Sequence, residues 1–235
     1  MNNTKLEWQW NEFAGIGGKH NDAATAERYD EFHKGFRDID ADNDATLALL
    51  NPQPHQTLMD LGAGTGLFTL AAAKRYTKVY AVDIAEPMLA KAKEKAQKTG
   101  LTNIEYRQGG FLTYEHQGDP VDVVVSQMAM HHLPDVWKFI SLARIASLLK
   151  PGGTLYLEDT VFSGMTTNYV AFLETLCSTF TEEQRKSVHA HIRDEYTTID
   201  WIMEGCLTRA GFSIQKVQHR SNFLAMYLCR KESKP

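Results

Sequence analysis

Residues 58–66 read Leu58-Met59-Asp60-Leu61-Gly62-Ala63-Gly64-Thr65-Gly66. The apolar run at 57–61 predicts a short buried strand, and three glycines follow it at alternate positions. The apolar spacing of residues 67–74 predicts a helix that begins directly after the last glycine. Glycine allows positive φ and a close approach of the backbone to a ligand, and a helix N-terminus presents unpaired N–H groups. The segment therefore predicts a strand, a ligand-binding turn and a helix.

The spacing of these glycines argues against the dinucleotide fingerprint G-x-G-x-x-G, because its third glycine would fall on Leu67. The pattern is instead D-x-G-x-G-x-G, which begins at Asp60. A second acid, Asp83, ends the next strand-like run at 78–82. An acid at the tip of a second strand can accept hydrogen bonds from ribose hydroxyls. The two elements together favour a nucleoside ligand over an ordinary strand–helix turn followed by a solvated aspartate.

Composition limits the class of protein. The 235 residues suit one α/β domain with a modest addition, and 43% hydrophobic with 23% charged residues permits a packed core. The 25 lysines and arginines against 29 acids give a net charge of −4, whereas a polyanion-binding protein usually has a basic excess. We therefore expect no nucleic-acid partner.

The cysteines and the apolar runs indicate the cellular compartment of the protein. The three cysteines lack a C-x-x-C spacing, which argues against a disulfide framework or a zinc knuckle. No run reaches the ~20 apolar residues that span a bilayer, and the first residues lack a signal-peptide core. We expect a cytoplasmic protein without a membrane partner.

Alternating strand and helix patterns organise the chain into an α/β fold. Residues 1–50 read as a helical N-terminal cap, and residues 51–235 as the main domain, with a helical insertion at about 162–197 that could cover the site. The predicted strands are 57–61, 78–82, 104–107, 121–126 and 154–158, and the predicted helices between and after them are 67–74, 87–99, 136–149 and 199–210. The segment 151–153 reads as a turn, and 212–218 with 223–229 as an antiparallel hairpin at the sheet edge.

Further blocks extend the pattern of Asp60 to Gly66 and Asp83. They are the strand at 121–126, the loop His131-His132-Leu133-Pro134-Asp135 and the segment Leu148-Leu149-Lys150-Pro151-Gly152-Gly153. Together they resemble the class I S-adenosylmethionine-dependent methyltransferases, over roughly residues 55–160. The resemblance implies a seven-stranded Rossmann-like sheet, mostly parallel with an antiparallel last strand. It implies S-adenosyl-L-methionine as the cofactor and S-adenosyl-L-homocysteine as its product.

The resemblance also implies roles for particular residues. The glycine turn would pack against the amino-acid half of the cofactor, Asp60 would orient its ammonium, and Asp83 would bind the ribose. Ile84 and Met88 would flank the adenine, and Gln127 and Met128 would border the methionine moiety. The full set of expected cofactor-binding residues is Asp60, Gly62, Ala63, Gly64, Thr65, Gly66, Asp83, Ile84, Met88, Gly110, Phe111, Gln127, Met128 and Tyr29.

Two parts of this set differ from the family pattern or have a second interpretation. Many members place an acid after strand three to bind the adenine amino group, but this chain has Gly109-Gly110-Phe111 there. The adenine would then be held by backbone groups and the Phe111 ring. The pair Tyr29-Asp30 is similar to one that often folds over the cofactor in this family, whereas Tyr29 alone could equally be a helix-packing aromatic.

Methyl transfer needs positioning more than a fixed triad, but a phenol, amine or thiol acceptor also has to lose a proton. His131 is the candidate base, because histidine titrates near neutral pH and the loop after strand four lies at the ligand-binding edge of the sheet. We expect no metal site, since His189 and His191 would point ~200° apart on a helix. Both are expected to be exposed.

The sequence thus favours a methyltransferase that acts on a small-molecule acceptor. The alternatives are an RNA or protein methyltransferase, and a non-catalytic regulatory module that binds S-adenosylmethionine. The acceptor, its reacting atom and the oligomeric state, monomer or homodimer, stay open.

Overall fold

The computed structural model of the protein describes residues 7–15, 23–34, 38–164, 167–220 and 222–232. The strands in these ranges are β1 (Thr57–Leu61), β2 (Lys78–Asp83), β3 (Ile104–Gln108), β4 (Val121–Gln127), β5 (Leu149–Phe162), β6 (Thr198–Ile199), β7 (Phe212–Arg220) and β8 (Leu224–Lys231). The helices are α1 (Glu12–Gly15), α2 (Ala23–Lys34), α3 (Ile39–Leu50), α4 (Leu67–Ala73), α5 (Glu86–Lys98), α6 (Asp135–Leu148), α7 (Tyr169–Leu176), α8 (Glu182–Asp194) and α9 (Asp200–Arg209), with a 3₁₀ turn at Met130–His132.

One mixed sheet carries these strands in the order β3-β2-β1-β4-β5-β8-β7. The first five strands pair in parallel, and β8 runs antiparallel between β5 and β7. The predicted Rossmann-like sheet of seven strands and its terminal hairpin are confirmed. The short β6 pairs in parallel with β5 and is an addition that the sequence pattern did not indicate.

Helices cover both faces of the sheet, because successive residues of a strand point to opposite sides. From β1, Leu58 packs into the cluster of α3 and α4, whereas Met59 and Leu61 pack into the cluster of α6 and α9. All three side chains are buried. Burial of each such side chain stabilises the fold by about 1.5–3 kcal/mol, which fixes the register of β1 and hence the place of the glycine turn.

Strand β5 is longer than the sequence predicts, because the expected turn at 151–153 lies inside it. Leu149 pairs with Val121, and the next paired residues are Thr154 and Val123. Residues 150–153 of β5 thus lie opposite the single residue Asp122 in an irregular bulge, in which Gly152 has a φ of 70°. The bulge re-aligns β5 with β4, so that the two strands pair in register from Val123 and Thr154 to Gln127 and Glu158.

The N-terminal and inserted segments each contain helices. The predicted cap contains α1, α2 and α3, while its residues 1–6, 16–22 and 35–37 lie outside the described residues. The insertion contains α7 and α8, and its residues 165–166 also lie outside. The division into a cap at 1–50 and a main domain stays a prediction. No helix in the described ranges combines the length and apolar character needed to cross a bilayer.

Candidate functional site

A cleft of about 700 Å³, including its mouth, opens at the carboxyl ends of β1, β2 and β4. This edge is where ligands bind in open α/β sheets. The residues that line the cleft are Glu12, Tyr29, Gly62, Gly64, Asp83, Ile84, Met88, Gly109, Gly110, Phe111, Gln127, Met128, Ala129, His132 and Leu133. Ten of the predicted cofactor-binding residues are among them, namely Tyr29, Gly62, Gly64, Asp83, Ile84, Met88, Gly110, Phe111, Gln127 and Met128.

The glycine turn forms one wall of the cleft. Gly62, Gly64 and Gly66 have φ values of 87°, 53° and 79°, a region that residues with a Cβ rarely adopt. The N–H groups of Gly62 and Ala63 both donate to the Val82 carbonyl, at 2.8 and 3.0 Å. The turn is therefore fastened to β2, and its inner side lacks side chains where it faces the cleft.

Replacement of Gly62 by alanine is expected to destabilise the fold. The new Cβ would lie 2.5 Å from the Ala129 Cβ. The alanine would also have to adopt the positive φ of this position, which costs about 1–2 kcal/mol by itself. Gly100→Ala is the matched control, because Gly100 has a φ of 70° and no neighbouring atom within 4 Å of its Cβ position. In thermal denaturation, Gly62→Ala should lower Tm clearly more than Gly100→Ala. Equal losses would contradict a close contact between the turn and the end of β4.

Asp83 ends β2 and brings a carboxylate into the cleft. Its Oδ2 accepts from the Gly64 N–H at 2.7 Å, and its Oδ1 accepts from the Ala85 N–H at 2.8 Å. Burial raises the pKa of this carboxyl, and the two backbone donors oppose that shift. The carboxylate is therefore held in a fixed orientation beside the turn, where it can accept hydrogen bonds from ligand hydroxyls.

The other predicted residues of this motif lie behind the cleft wall. Asp60 is buried and accepts a 2.5 Å hydrogen bond from the Thr69 hydroxyl, and its burial raises its pKa to about 7. Thr65 donates to Asp30 at 2.5 Å, which connects the turn to α2. Gly66 allows α5 to approach, since a Cβ there would lie 2.8 Å from that of Ala92. Asp60, Ala63, Thr65 and Gly66 do not line the cleft; the last two support the turn.

The end of β4 forms the opposite wall. Met128 follows this strand with a φ of 52°, which is strained for a residue with a side chain, and its N–H donates to the Glu158 carbonyl at 2.8 Å. Gln127 donates through Nε2 to the Thr46 hydroxyl at 3.3 Å. Strained backbone of this kind persists where surrounding contacts hold it, and it often occurs at functional sites.

Apolar side chains enclose the third side, next to the loop after β3. Ile84, Met88 and Phe111 line the cleft and are each at most 9% exposed. Tyr29 closes the cleft from α2, with its Cε1 3.9 Å from the Cβ position of Gly64. Glu12 of α1 also reaches this wall, although it lies about 100 residues away in sequence. Sequence reasoning missed Glu12 because no local pattern links a single acid near the N-terminus to this loop.

His131 lies beside the cleft and is buried, but it does not line it. Its Nδ1 is 2.6 Å from Asp159 Oδ1, and its Nε2 is 3.4 Å from Glu195 Oε2. Burial alone would lower the pKa of His131, but the two carboxylates raise it above its ordinary value. The pKa of Asp159 is lowered, because His131 and backbone N–H groups outweigh its burial. The geometry therefore favours a buried imidazolium between two carboxylates.

His191 contradicts the expectation that it would be exposed. It is half-buried, its Nε2 is 2.9 Å from the Thr160 hydroxyl and its Nδ1 is paired with Glu195. His189 is exposed, as expected. His191 contacts Thr160 of β5, whereas the contact of His189 is with Cys177.

Potential metal ligands come together next to the cleft. Among the described residues, His131, His132 and Glu195 have ligand atoms within 4.8 Å of one another. Glu195 already pairs with His131 and His191. These pairs between side chains can hold the cluster together without a metal cation. Our expectation of a metal-free site stays a prediction.

Comparison with known proteins gives the same assignment as the motifs. A family model described as a methyltransferase domain matches residues 58–153. An uncharacterized methyltransferase of Geobacillus kaustophilus (strain HTA426) is 30% identical over 205 residues, which cover 83% of this chain and 89% of that protein. The family match thus rests on the region that contains the glycine turn, Asp83 and the end of β4.

Solved structures share the fold at low sequence identity. A Haemonchus contortus phosphoethanolamine N-methyltransferase superposes with a TM-score of 0.72 at 16% identity, covering 96% of this chain and 61% of that one. Magnesium protoporphyrin IX methyltransferase from Synechocystis PCC 6803, with bound S-adenosylmethionine, superposes with a TM-score of 0.64 at 16% identity. The superposition covers 97% of this chain and 100% of that one. The chain therefore belongs to the class I methyltransferases that use S-adenosylmethionine as the cofactor.

Proposed function

We propose that this methyltransferase transfers the methyl group to a small-molecule acceptor bound in the cleft. The observation that carries the proposal is that one cleft of limited size joins the glycine turn and Asp83 to the polar end of β4 at Gln127 and His132. A net charge of −4 adds support, because it disfavours a polyanionic acceptor such as RNA.

The lining of the cleft suits the cofactor. The turn from Gly62 to Gly66 lacks side chains that would block it, and the Asp83 carboxylate can accept from the two ribose hydroxyls. Ile84 and Met88 offer apolar contact for a flat heterocycle, and Tyr29 closes the opening. We propose Asp60, Ala63, Thr65 and Gly66 as supports of this site rather than as direct contacts, since they do not line the cleft.

When bound, S-adenosylmethionine supplies a methyl group on a sulfonium, whose departure as a neutral sulfide activates the transfer. The chain then has to exclude water and align the acceptor, and these tasks fall to rigid elements. Met128 and Ala129 are fixed by the backbone bond to β5 and by contact with Gly62. The cleft then holds the acceptor near these residues.

The sequence suggests His131 as the base, but its geometry supports a positioning role instead. Its raised pKa and its two carboxylate partners make it a poor proton acceptor at neutral pH. His132 lines the cleft, and the ring centroids of the two histidines are 4.3 Å apart. We propose that His131 is a positioning residue for the loop and that His132 contacts the acceptor and takes its proton.

The proposal is tested by following a tritiated methyl group from S-adenosylmethionine into separated fractions of small thiols, phenols, amines, RNA and protein. We expect label in a small-molecule fraction, and at least about tenfold less of it with Asp83→Ala at a cofactor concentration below the Kd of the variant. The exposed Asp119→Ala is the matched control and should leave the transfer unchanged. Label in RNA or protein would replace the proposal with a macromolecular substrate. Binding of S-adenosylhomocysteine without transfer to any fraction would indicate a regulatory module.

A further inference from the structure

The loop after β3 has a carboxylate at its centre that its own sequence does not provide. Glu12, in α1, is 4% exposed, and its oxygens accept from the Leu112 N–H at 3.2 and 3.1 Å. Its Oε1 also accepts from the Thr113 hydroxyl at 2.5 Å. An acid from the N-terminal segment is thus held in place by the loop that borders the cleft.

The absence of a side chain at Gly110 makes this arrangement possible. A Cβ on Gly110 would lie 2.5 Å from both Cδ and Oε2 of Glu12, and equally 2.5 Å from Cγ2 of Ile84. The Glu12 carboxylate therefore occupies the space that a side chain at position 110 would take. A larger residue there would displace Glu12 or Ile84, so the glycine and the distant acid depend on each other.

Glu12 lies at the edge of the most apolar part of the cleft. Ile84, Met88 and Phe111 surround this part, and the other carboxylate of the lining, Asp83, belongs to the glycine turn. Apolar walls suit the faces of an aromatic ring, while a carboxylate at the edge suits an N–H donor of that ring. The base of the cofactor, adenine, has this combination of a flat ring and an exocyclic amine.

We infer that Glu12 accepts a hydrogen bond from the exocyclic amine of the adenine, so that the N-terminal segment takes part in cofactor recognition. The inference rests on the cofactor placement in the proposed function, but not on the identity of the methyl acceptor. A charged acceptor enclosed with its donor gives a stronger hydrogen bond than a neutral one. Since Glu12 also binds Leu112 and Thr113, cofactor binding and the docking of α1 should strengthen each other.

The test compares calorimetric binding of S-adenosylhomocysteine with that of its analogue in which the purine carries hydrogen at position 6. The wild-type protein should prefer the amine-bearing ligand by about tenfold, in line with one charged hydrogen bond. Glu12→Ala should bring this preference close to unity, and Glu12→Gln, which keeps an accepting oxygen, should retain part of it. Gly110→Ala should also reduce the preference, because its Cβ displaces the Glu12 carboxylate while leaving the acid in the chain.

A purely structural role for Glu12 gives a different result. In that case Glu12→Ala would weaken both ligands by the same factor and leave the preference unchanged, which would overturn the inference. A wild-type protein that binds both ligands equally well would overturn it too. If the wild-type protein bound neither ligand, the cofactor site itself would be misplaced. Thermal denaturation of each variant without ligand verifies that the comparison is made on folded protein.

Discussion

Asp83→Ala is expected to weaken S-adenosylhomocysteine binding by a factor of ten or more. The substitution removes the carboxylate that ends β2 and lines the cleft. A hydrogen bond to a charged group contributes about 1.5–3 kcal/mol, and 1.4 kcal/mol corresponds to a factor of ten in Kd. Two ribose hydroxyls share this acceptor, so the loss should lie at the upper end of that range. Calorimetry on the purified variant gives Kd directly.

The control for Asp83 separates ligand contact from support of the turn. The same carboxylate accepts from the N–H groups of Gly64 and Ala85, so its removal also loosens the glycine turn. Asp83→Asn keeps one accepting oxygen and the size of the side chain, and it should fall between the wild-type protein and Asp83→Ala. Asp119→Ala, at an exposed site, should leave Kd unchanged. An Asp83→Ala protein that melts normally and binds normally would contradict the assignment of this carboxylate.

Binding should also weaken on acidification. Burial raises the pKa of Asp83, so the carboxyl becomes protonated at a higher pH than an exposed aspartate. Protonation converts one accepting oxygen into a donor and removes the charge.

The parts of the fold that the sequence predicts are those encoded by local patterns. The alternation from β1 to β5 depends on apolar runs and glycine stops that lie within a few residues of each other. The glycine turn and Asp83 are found for the same reason, since each directly follows its own strand. The glycine turn and Asp83 must then lie at the same edge of the sheet, because each follows a parallel strand and the carboxyl ends of parallel strands form one edge.

The parts that the sequence does not predict depend on contacts between distant segments. Glu12 meets Leu112 across 100 residues, and Glu195 meets His131 from the end of an inserted helix. No periodicity in either segment specifies the partner. The bulge at Gly152 was predicted as a turn because proline and glycine indicate one, whereas pairing with β4 and β8 on either side keeps the segment within the sheet.

The second large effect concerns Asp159, which lies at the centre of the buried network beside the cleft. Its Oδ2 accepts from the N–H groups of Met130 and His131, at 2.6 and 3.1 Å, and its Oδ1 pairs with the His131 ring. The residue is 1% exposed. Asp159 therefore fixes both the backbone and the imidazole of the loop that presents His132 to the cleft.

Asp159→Asn is expected to reduce the free energy of unfolding by about 3–5 kcal/mol, since it leaves a buried imidazolium without its closest carboxylate. In a chain of this length that should lower Tm by roughly 10 °C. Thermal denaturation at pH 5.5 measures the effect, with Asp119→Asn as the exposed control. A loss no larger than that of the control would contradict a charged pair at this position.

The pH dependence of this loss identifies its cause. The folded pKa of Asp159 is lowered from 3.8, so its contribution is present above that value and is lost as pH falls through the folded pKa. The folded pKa of His131 is raised from 6.5, so its contribution is full below 6.5 and is lost as pH rises through the folded pKa. The difference in Tm between the wild-type protein and Asp159→Asn should thus be greatest between pH 3.8 and pH 6.5 and shrink toward alkaline pH. A difference that stays constant across this range would mean that neutral hydrogen bonds to Met130 and His131, rather than the ion pair, hold the loop.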